Sequence, residues 1–204
     1  MLYDISPLLH PGMAVWPGDV PFTQERTAEM AAGAAANVSA FRTTTHAGCH
    51  VDAPLHTEAG GSDIASLGLA PFLGLCRVVE VPAVALLLPE HLPAPEPDDP
   101  PRLLLKTGSW PDRDRFPATF TALSPEVARE LAARGLLLVG LDTPSVDPAE
   151  SADLPAHHAL AGAGIVILEG AVLDAVPPGR YELIALPLKL AGLDASPVRA
   201  VLVG

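Results

Sequence analysis

Three histidines and one aspartate lie close together in one short segment, and all four side chains can bind a metal ion or transfer protons. They are His46, His50, Asp52 and His56, in the pattern H-x-x-x-H-x-D-x-x-x-H. A lone histidine is more often buried and hydrogen-bonded to the backbone, but this pattern favours a metal site. The spacing differs from H-E-x-x-H, which disfavours a helical zinc protease.

The backbone must bend for these side chains to reach one ion. On a straight helix His46 and His50 would share a face, but Asp52 would point away. On a straight strand all three would share a face, but the two histidine Cα atoms would lie ~13 Å apart. We therefore expect the chain to leave a strand near Thr45 and to bend at Gly48, since glycine tolerates unusual dihedral angles.

The segment Thr45–Pro54 also resembles a known signature. It is similar to the H-T-G-T-H-x-D-A-P motif of the cyclase family of metal-dependent hydrolases, whose bacterial members include the arylformamidases (kynurenine formamidases). Ala47 and Cys49 stand where that motif usually has threonines. Neither change removes a candidate ligand, although a Cys49 thiolate beside zinc could become an unintended one.

Length and composition restrict the class of protein. The 204 residues suit one domain, 1–204, and the 49% hydrophobic content excludes a disordered chain. The net charge of −12 argues against nucleic-acid binding. No apolar run reaches the ~18 residues that span a bilayer, and the N-terminus lacks the order of a signal peptide, so we expect a cytoplasmic protein without membrane contact. Two cysteines make no disulfide framework.

The hydrophobic pattern predicts many short strands and few helices. The clearest helix follows Ser124, which is a suitable N-cap, and ends before Gly135. A second helix is predicted over 152–161, and an alanine-rich helix is permitted over 25–37. Strands are predicted over 2–6, 38–45, 76–81, 103–107, 136–141, 165–168, 181–186 and 197–203. Six or more strands with few helices indicate a β-rich α/β domain.

Trp16 and a second group of acid and base residues are further candidates. Trp16 lies in a Trp-Pro-Gly-Asp turn, where its ring could face a ligand, although burial is the commoner fate of tryptophan. Glu169 follows an apolar strand, and His157 and His158 lie on the helix before that strand. From the residues alone, a surface position for Glu169 is as good an interpretation as a buried one.

The resemblance assigns roles to these residues. Ala156-His157-His158 and Ile167-Leu168-Glu169-Gly170 resemble the family segments that complete a two-metal centre, and the spacing to Glu169 favours His157 over His158. The resemblance implies that His46, His50 and Asp52 hold one ion and that Asp52 bridges to a second. His157 and Glu169 would hold that second ion. Zinc is the expected metal, with manganese as the alternative.

The resemblance also implies a reaction and a fold. The reaction is hydrolysis of N-formyl-L-kynurenine, with His56 as the proton shuttle (or as a further ligand) and Trp16 against the substrate's aromatic ring. The fold is a swivelling β/β/α domain, usually a homodimer with a site close to the interface. Two alternatives are another amide hydrolase of the family, acting on a cyclic amide such as isatin, and a non-catalytic metal-binding protein.

Overall fold

The computed structural model of the chain describes residues 1–204, in thirteen strands, two α-helices and five single-turn 3₁₀-helices. The strands are β1 (Leu2–Asp4), β2 (Thr23–Ala28), β3 (Val38–Arg42), β4 (His50–Asp52), β5 (Leu73–Glu80), β6 (Leu86–Leu87), β7 (Arg102–Lys106), β8 (Ala122–Leu123), β9 (Leu138–Leu141), β10 (Val166–Glu169), β11 (Gly179–Ile184), β12 (Ala195–Pro197) and β13 (Val201–Val203). The α-helices are α1 (Pro125–Ala133) and α2 (Pro155–Gly162). The 3₁₀-helices are Met30–Ala32, Pro54–His56, Ile64–Ser66, Ala70–Phe72 and Pro89–His91.

Nine strands form one mixed sheet in the order β1-β13-β11-β5-β7-β9-β10-β4-β12. The central strands β5, β7, β9 and β10 run parallel to their neighbours in that group. The outer pairs are antiparallel, including β4, which lies between β10 and β12. The pairs β2-β3 and β6-β8 form two small separate sheets. The β-rich α/β class predicted from the sequence is therefore confirmed.

The sheet has a hydrophobic core on each face. Because successive side chains of a strand point to opposite faces, Leu104 on β7 joins one core and its neighbours Leu103 and Leu105 join the other. The second core also contains Leu131 of α1 and Leu160 of α2, so both helices cover that face. With α1 nine residues long and α2 eight, no helix has the length and apolar character to cross a membrane.

The helix after Ser124 is confirmed, because the Ser124 hydroxyl accepts a hydrogen bond from the backbone N–H of Val127 at 3.2 Å. The helix permitted over 25–37 is wrong. Glu25–Ala28 belong to strand β2, which pairs with β3, and the rest of the segment is the loop between these two strands. The only helical part of that loop is the single turn Met30–Ala32, which Gly33 ends at φ 92°. Alanine's preference for helix is weak, and cross-strand pairing overrides it.

One other local prediction needs correction. The strand predicted over 197–203 is two strands, β12 and β13. They lie at opposite ends of the sheet order, since β12 pairs with β4 and β13 pairs with β1 and β11. This division places the residues just before β12 beside β4, which carries two of the predicted ligands.

Candidate metal centre

The loop that leads into β4 bends as the spacing requires. Gly48 adopts φ 64°, and a Cβ atom at this position would lie 2.5 Å from the Leu9 Cδ2 atom. Glycine suits this bend mainly because φ lies in the left-handed region, and a Cβ atom would also displace the Leu9 side chain. The imidazole rings of His46 and His50 come within 4.9 Å of each other, measured between their centroids. The bend predicted at Gly48 is confirmed.

The carboxylate of Asp52 lies between these two histidines. Its Oδ1 atom is 3.2 Å from His46 Nδ1 and 3.6 Å from His50 Nε2. Asp52 and His50 are almost fully buried, and His46 is partly buried. The first three predicted ligands therefore share one buried centre.

Strand β10 and helix α2 bring a second set of donors to the same place. Glu169 pairs directly with His50 across the antiparallel strands β10 and β4, and its Oε2 atom lies 3.3 Å from His50 Nε2. On α2, His157 Nε2 lies 3.2 Å from Glu169 Oε1 and 3.6 Å from Asp52 Oδ2. His158 is exposed on the other side of the helix. The structure thus places His157, not His158, at the centre.

The contact distances suit a shared metal ion. Two donor atoms that each lie ~2.1 Å from a tetrahedral zinc ion are separated by ~3.4 Å, which is close to every spacing within this cluster. The buried atoms His50 Nε2, Asp52 Oδ1 and Asp52 Oδ2 have no hydrogen-bond partner in the protein. Leaving such atoms without a partner is costly, so a cation that binds them would remove that cost. Imidazole and carboxylate donors suit zinc or manganese.

The electrostatics of the cluster also favour positive charge. Burial disfavours ionisation of Glu169, but His157 and His50 outweigh burial and hold the pKa of Glu169 at about 2. Burial likewise opposes protonation of His46, yet its contacts with Asp194 and Asp52 raise its pKa to about 10. The pKa of His157 is raised well above its usual value against burial by Glu169, Asp147 and Asp52. Without metal the cluster therefore retains protons, and a metal ion would replace them.

Two aspartates of the site were not identified from the sequence. Asp194 accepts from the Thr45 hydroxyl and lies 3.0 Å from His46 Nε2, although the two residues are 148 positions apart. Asp147 is fully buried, and its Oδ2 atom lies 2.7 Å from His157 Nδ1. The contact of Asp194 joins segments that are distant in sequence, and the contact of Asp147 joins an irregular segment to a helix. The spacing of residues along the chain cannot predict either contact. The only sequence signal is the resemblance of the Leu193-Asp194-Ala195-Ser196-Pro197 segment to the same family.

Asp147 also supports helix α2 directly. The residue before this helix, Leu154, provides no side-chain cap. Asp147 accepts instead from the first free backbone N–H groups of the helix, those of Ala156 and His157, at 2.9 and 3.0 Å. Because Nδ1 of His157 contacts the same carboxylate, its Nε2 atom is left facing Glu169 and Asp52.

His56 lies at the edge of the centre, on the single turn that follows β4. Its ring centroid is 4.3 Å from that of His46 and 5.5 Å from that of His157. Its donor atom also lies within 4.8 Å of donor atoms on His46 and Asp52. This geometry allows both proton transfer beside a metal ion and direct ligation, and the two roles predict different effects of removing the His56 side chain.

The centre opens into a pocket of about 490 Å³. Trp16, Trp110 and Phe116 line this pocket, and the Trp16 and Phe116 rings meet edge-to-face with centroids 5.2 Å apart. His46, His50, His56, His157 and Glu169 line its inner part. No lysine or arginine is among its lining residues. The predicted pocket residue Trp16 therefore lies in the same pocket as the metal-ligand candidates.

Cys49 does not belong to the centre. Cys49 directly precedes β4, and its side chain is buried in the hydrophobic core with Val51 and Leu168. Burial raises the pKa of the thiol to about 12, so the sulfur stays protonated. Ala47 is also buried, in a small cluster with Met13 and Phe22. The two departures from the family motif thus fill space behind the loop.

Comparison with known proteins identifies the family. The Cyclase family model matches residues 3–148. A structure described as a potential metal-dependent hydrolase with cyclase activity is 30% identical, with a TM-score of 0.82 over 99% of this chain and 96% of that one. A predicted metal-dependent hydrolase from Bacillus stearothermophilus is 29% identical, with a TM-score of 0.83 over 99% and 97%.

A third similar structure is isatin hydrolase A from Labrenzia aggregata bound to benzyl benzoate. It is 26% identical to this chain, with a TM-score of 0.81 over 99% of this chain and 93% of that one. The shared architecture confirms the cyclase-like fold expected from the resemblance. The match of the family model and the end-to-end structural similarity lead to one conclusion: the chain belongs to the cyclase family.

Proposed function

We propose that the protein is a metal-dependent hydrolase that converts N-formyl-L-kynurenine to L-kynurenine and formate. The observation that carries this proposal is the convergence of five metal-ligand candidates at the base of a pocket with an aromatic wall. The substrate fits that geometry because its aryl ring needs a flat partner while its formamide must reach the centre. The alignment with family hydrolases of similar length supports hydrolysis as the reaction.

Each residue has a part in the proposed reaction. His46, His50 and Asp52 would hold one ion, and Asp52, His157 and Glu169 would hold the second. When bound, two divalent ions, zinc or manganese, supply an activated water and polarise the formyl oxygen. His56 accepts a proton from the attacking water and donates one to the departing aryl nitrogen, which would otherwise be a poor leaving group. Trp16 stacks against the substrate's ring.

Proposals on the assembly and partners follow from the same assignment. We infer a homodimer, as the resemblance implies, with the site near the interface. A small molecule is the proposed partner of the pocket, because its volume of about 490 Å³ suits a ligand the size of a substituted kynurenine. The net charge of −12 disfavours nucleic acid as a ligand.

Isatin opening is the second candidate activity, and two observations favour it. Isatin hydrolase A from Labrenzia aggregata is among the similar structures. The pocket also has no lysine or arginine to pair with the amino-acid carboxylate of N-formyl-L-kynurenine. Isatin carries no such charge. Against this candidate, the open pocket with Trp16, Trp110 and Phe116 can accept a longer substrate than a fused two-ring amide.

The experiment compares both substrates with one preparation of metal-loaded protein. Absorbance of kynurenine and of the opened isatin gives kcat/KM for each reaction. We expect N-formyl-L-kynurenine to react at least tenfold faster. Faster opening of isatin without kynurenine formation would assign the second activity. Inactivity on both substrates with metal bound would favour the non-catalytic metal-binding alternative.

A further inference from the structure

We propose that Asp194 is a positioning residue that holds the ligand candidate His46 and the proton-transfer candidate His56 with a single carboxylate oxygen. Asp194 Oδ2 lies 3.0 Å from His46 Nε2 and 3.4 Å from His56 Nδ1. The other oxygen, Oδ1, accepts a hydrogen bond of 3.0 Å from the Thr45 hydroxyl. The inference rests on the proposed function, because it requires a metal at His46 and a proton-transfer role for His56.

The backbone around Asp194 holds the carboxylate in place. Asp194 directly precedes β12, and its carbonyl oxygen accepts from the backbone N–H of Ala53 at 2.8 Å. Ala53 in turn follows the ligand candidate Asp52 on β4, and the neighbouring residue Ala195 pairs with Asp52 in the sheet. Hydrogen bonds of the sheet therefore fix the backbone of Asp194 relative to the candidate metal centre. Only the side-chain torsions of Asp194 remain to be set by its contacts with Thr45, His46 and His56.

The contact with His46 determines how that imidazole meets a metal ion. His46 Nδ1 is the nitrogen that faces Asp52 Oδ1, at 3.2 Å. A metal bound between them would leave Nε2 as the protonated nitrogen, which can donate to Asp194. Carboxylates that accept from the second nitrogen of a ligand histidine fix its ring orientation, and their loss typically weakens metal binding by about 10–100-fold.

The contact with His56 determines its tautomer in the same way. A hydrogen bond from the Nδ1–H group of His56 to Asp194 leaves Nε2 as the nitrogen that can accept a proton from water. The two imidazole rings lie 4.3 Å apart, with 46° between their planes, so one oxygen can serve both. Because the same atom holds both rings, we expect its loss to reduce metal affinity and proton transfer together.

The test compares Asp194→Asn with Asp4→Asn. The amide keeps the size of the side chain and can still accept from Thr45, but it removes the charge that both imidazoles contact. Asp4 is a suitable control because its side chain is similarly exposed (43% against 38%) and also forms a short ion pair, with Arg199 at 2.8 Å. Asp4 has no contact with the metal-ligand candidates.

Three measurements are needed. Competition with a chromophoric chelator gives the zinc affinity, and the visible spectrum of the cobalt-loaded protein reports the ligand geometry. Steady-state kinetics on N-formyl-L-kynurenine separate kcat from KM. For Asp194→Asn we expect zinc affinity to fall at least tenfold, the cobalt spectrum to change and kcat to fall at least tenfold with KM within threefold. For Asp4→Asn we expect all of these values within twofold of wild type.

Several results would overturn the inference. Zinc affinity within twofold of wild type in Asp194→Asn would remove Asp194 from the support of His46. Weaker zinc binding with unchanged kcat in the metal-saturated variant would remove it from the support of His56, and the shared role with it. If wild type does not hydrolyse the formamide, the proposed function fails, while the zinc and cobalt measurements still decide the His46 contact.

A second variant covers the case in which Asp194→Asn does not fold. Thr45→Val removes only the hydrogen bond to Asp194 Oδ1 and leaves both imidazole contacts. The carboxylate would then be held less firmly, so we expect the same two effects at smaller size, about threefold each. If zinc affinity and kcat both stay at wild-type values in Thr45→Val, the inference is wrong.

Discussion

Glu169 and His50 face each other across strands β10 and β4, with Glu169 Oε2 at 3.3 Å from His50 Nε2. The two residues are far apart in sequence but form one cross-strand pair in the sheet. Their register brings the segment that contains His46, His50 and Asp52 against the segment that contains His157 and Glu169. The candidate centre thus depends on the pairing of a short strand, β4, with the end of a central one.

Replacing Asp52, the carboxylate proposed to bridge the two ions, should remove metal and activity together. Asp52 lies near candidate ligands of both proposed ions, with Oδ1 3.2 Å from His46 and Oδ2 3.6 Å from His157. Asp52→Asn is therefore expected to lower the metal content and to reduce turnover by a factor of ~100 or more. Elemental analysis of the purified variant measures the metal. Wild-type metal content in Asp52→Asn would exclude Asp52 from the centre.

His56→Ala separates the two roles that the geometry allows for this histidine. If His56 transfers protons, the variant should keep its metal and its melting temperature while kcat falls by a factor of ~100 or more. Metal analysis, thermal unfolding and kinetics on one preparation test this expectation. Loss of metal in His56→Ala would instead make His56 a ligand, and the proton shuttle would have to be another residue.

The two neighbouring histidines of α2 should differ strongly. His157 is buried against Glu169 and Asp52, whereas His158 is exposed. His157→Ala should weaken the binding of one metal equivalent, and His158→Ala should leave the stoichiometry unchanged. Calorimetric titration with zinc measures the number of ions bound and their affinity in each variant. A larger effect at His158 would reverse the assignment that the structure favours.

The pKa shifts predict how pH affects the stability of the metal-free protein. His46 has a pKa raised to about 10, so its contribution is fully present below its unfolded pKa near ~6.5 and is lost as pH rises towards 10. Glu169 has a pKa lowered to about 2, so its contribution is present above ~4.3 and is lost as pH falls towards 2. Both contributions are therefore complete only between about pH 4.3 and 6.5.

Urea unfolding of chelator-treated protein at several pH values measures this dependence. For the wild type we expect these two contributions to raise the free energy of unfolding most between about pH 4.3 and 6.5. His46→Gln serves as the matched control, since it removes the titrating imidazole and keeps a hydrogen-bonding side chain. The fall in stability between about pH 6.5 and 10 should be smaller in this variant. An equal fall in both proteins would contradict the assigned pKa of His46.

The sequence predicted those parts of the structure that depend on local pattern. Ser124 and Gly135 bracket helix α1 as their preferences for caps suggest. The close spacing of His46, His50 and Asp52 indicated a metal site, and Gly48 provides the predicted bend. The strand before Glu169 was apparent from its apolar run. In each case the relevant residues are neighbours in the chain.

Features that depend on distant contacts could not be predicted in this way. The segment 25–37, where a helix was permitted, is the end of β2 and the loop to β3, because residues 23–28 pair with the distant residues 38–42. Asp194 joins the site from 148 positions away, and Asp147 joins it only because the N-terminus of α2 is placed above that carboxylate. The spacing of residues around either aspartate does not distinguish it from a surface residue, and only the family resemblance of the segment around Asp194 points to one of them.

The central claim is that this cluster of histidine and carboxylate side chains hydrolyses an aryl formamide with metal bound. The most direct measurement is the rate of kynurenine formation from N-formyl-L-kynurenine as zinc or manganese is added to chelator-treated protein. We predict no reaction without metal and a rate that rises until two equivalents per chain are bound and then stays constant. Asp52→Asn should stay slower than the wild type by a factor of ~100 or more at every metal concentration. Kynurenine formation at full rate in the metal-free protein, or none at any metal concentration, would contradict the account.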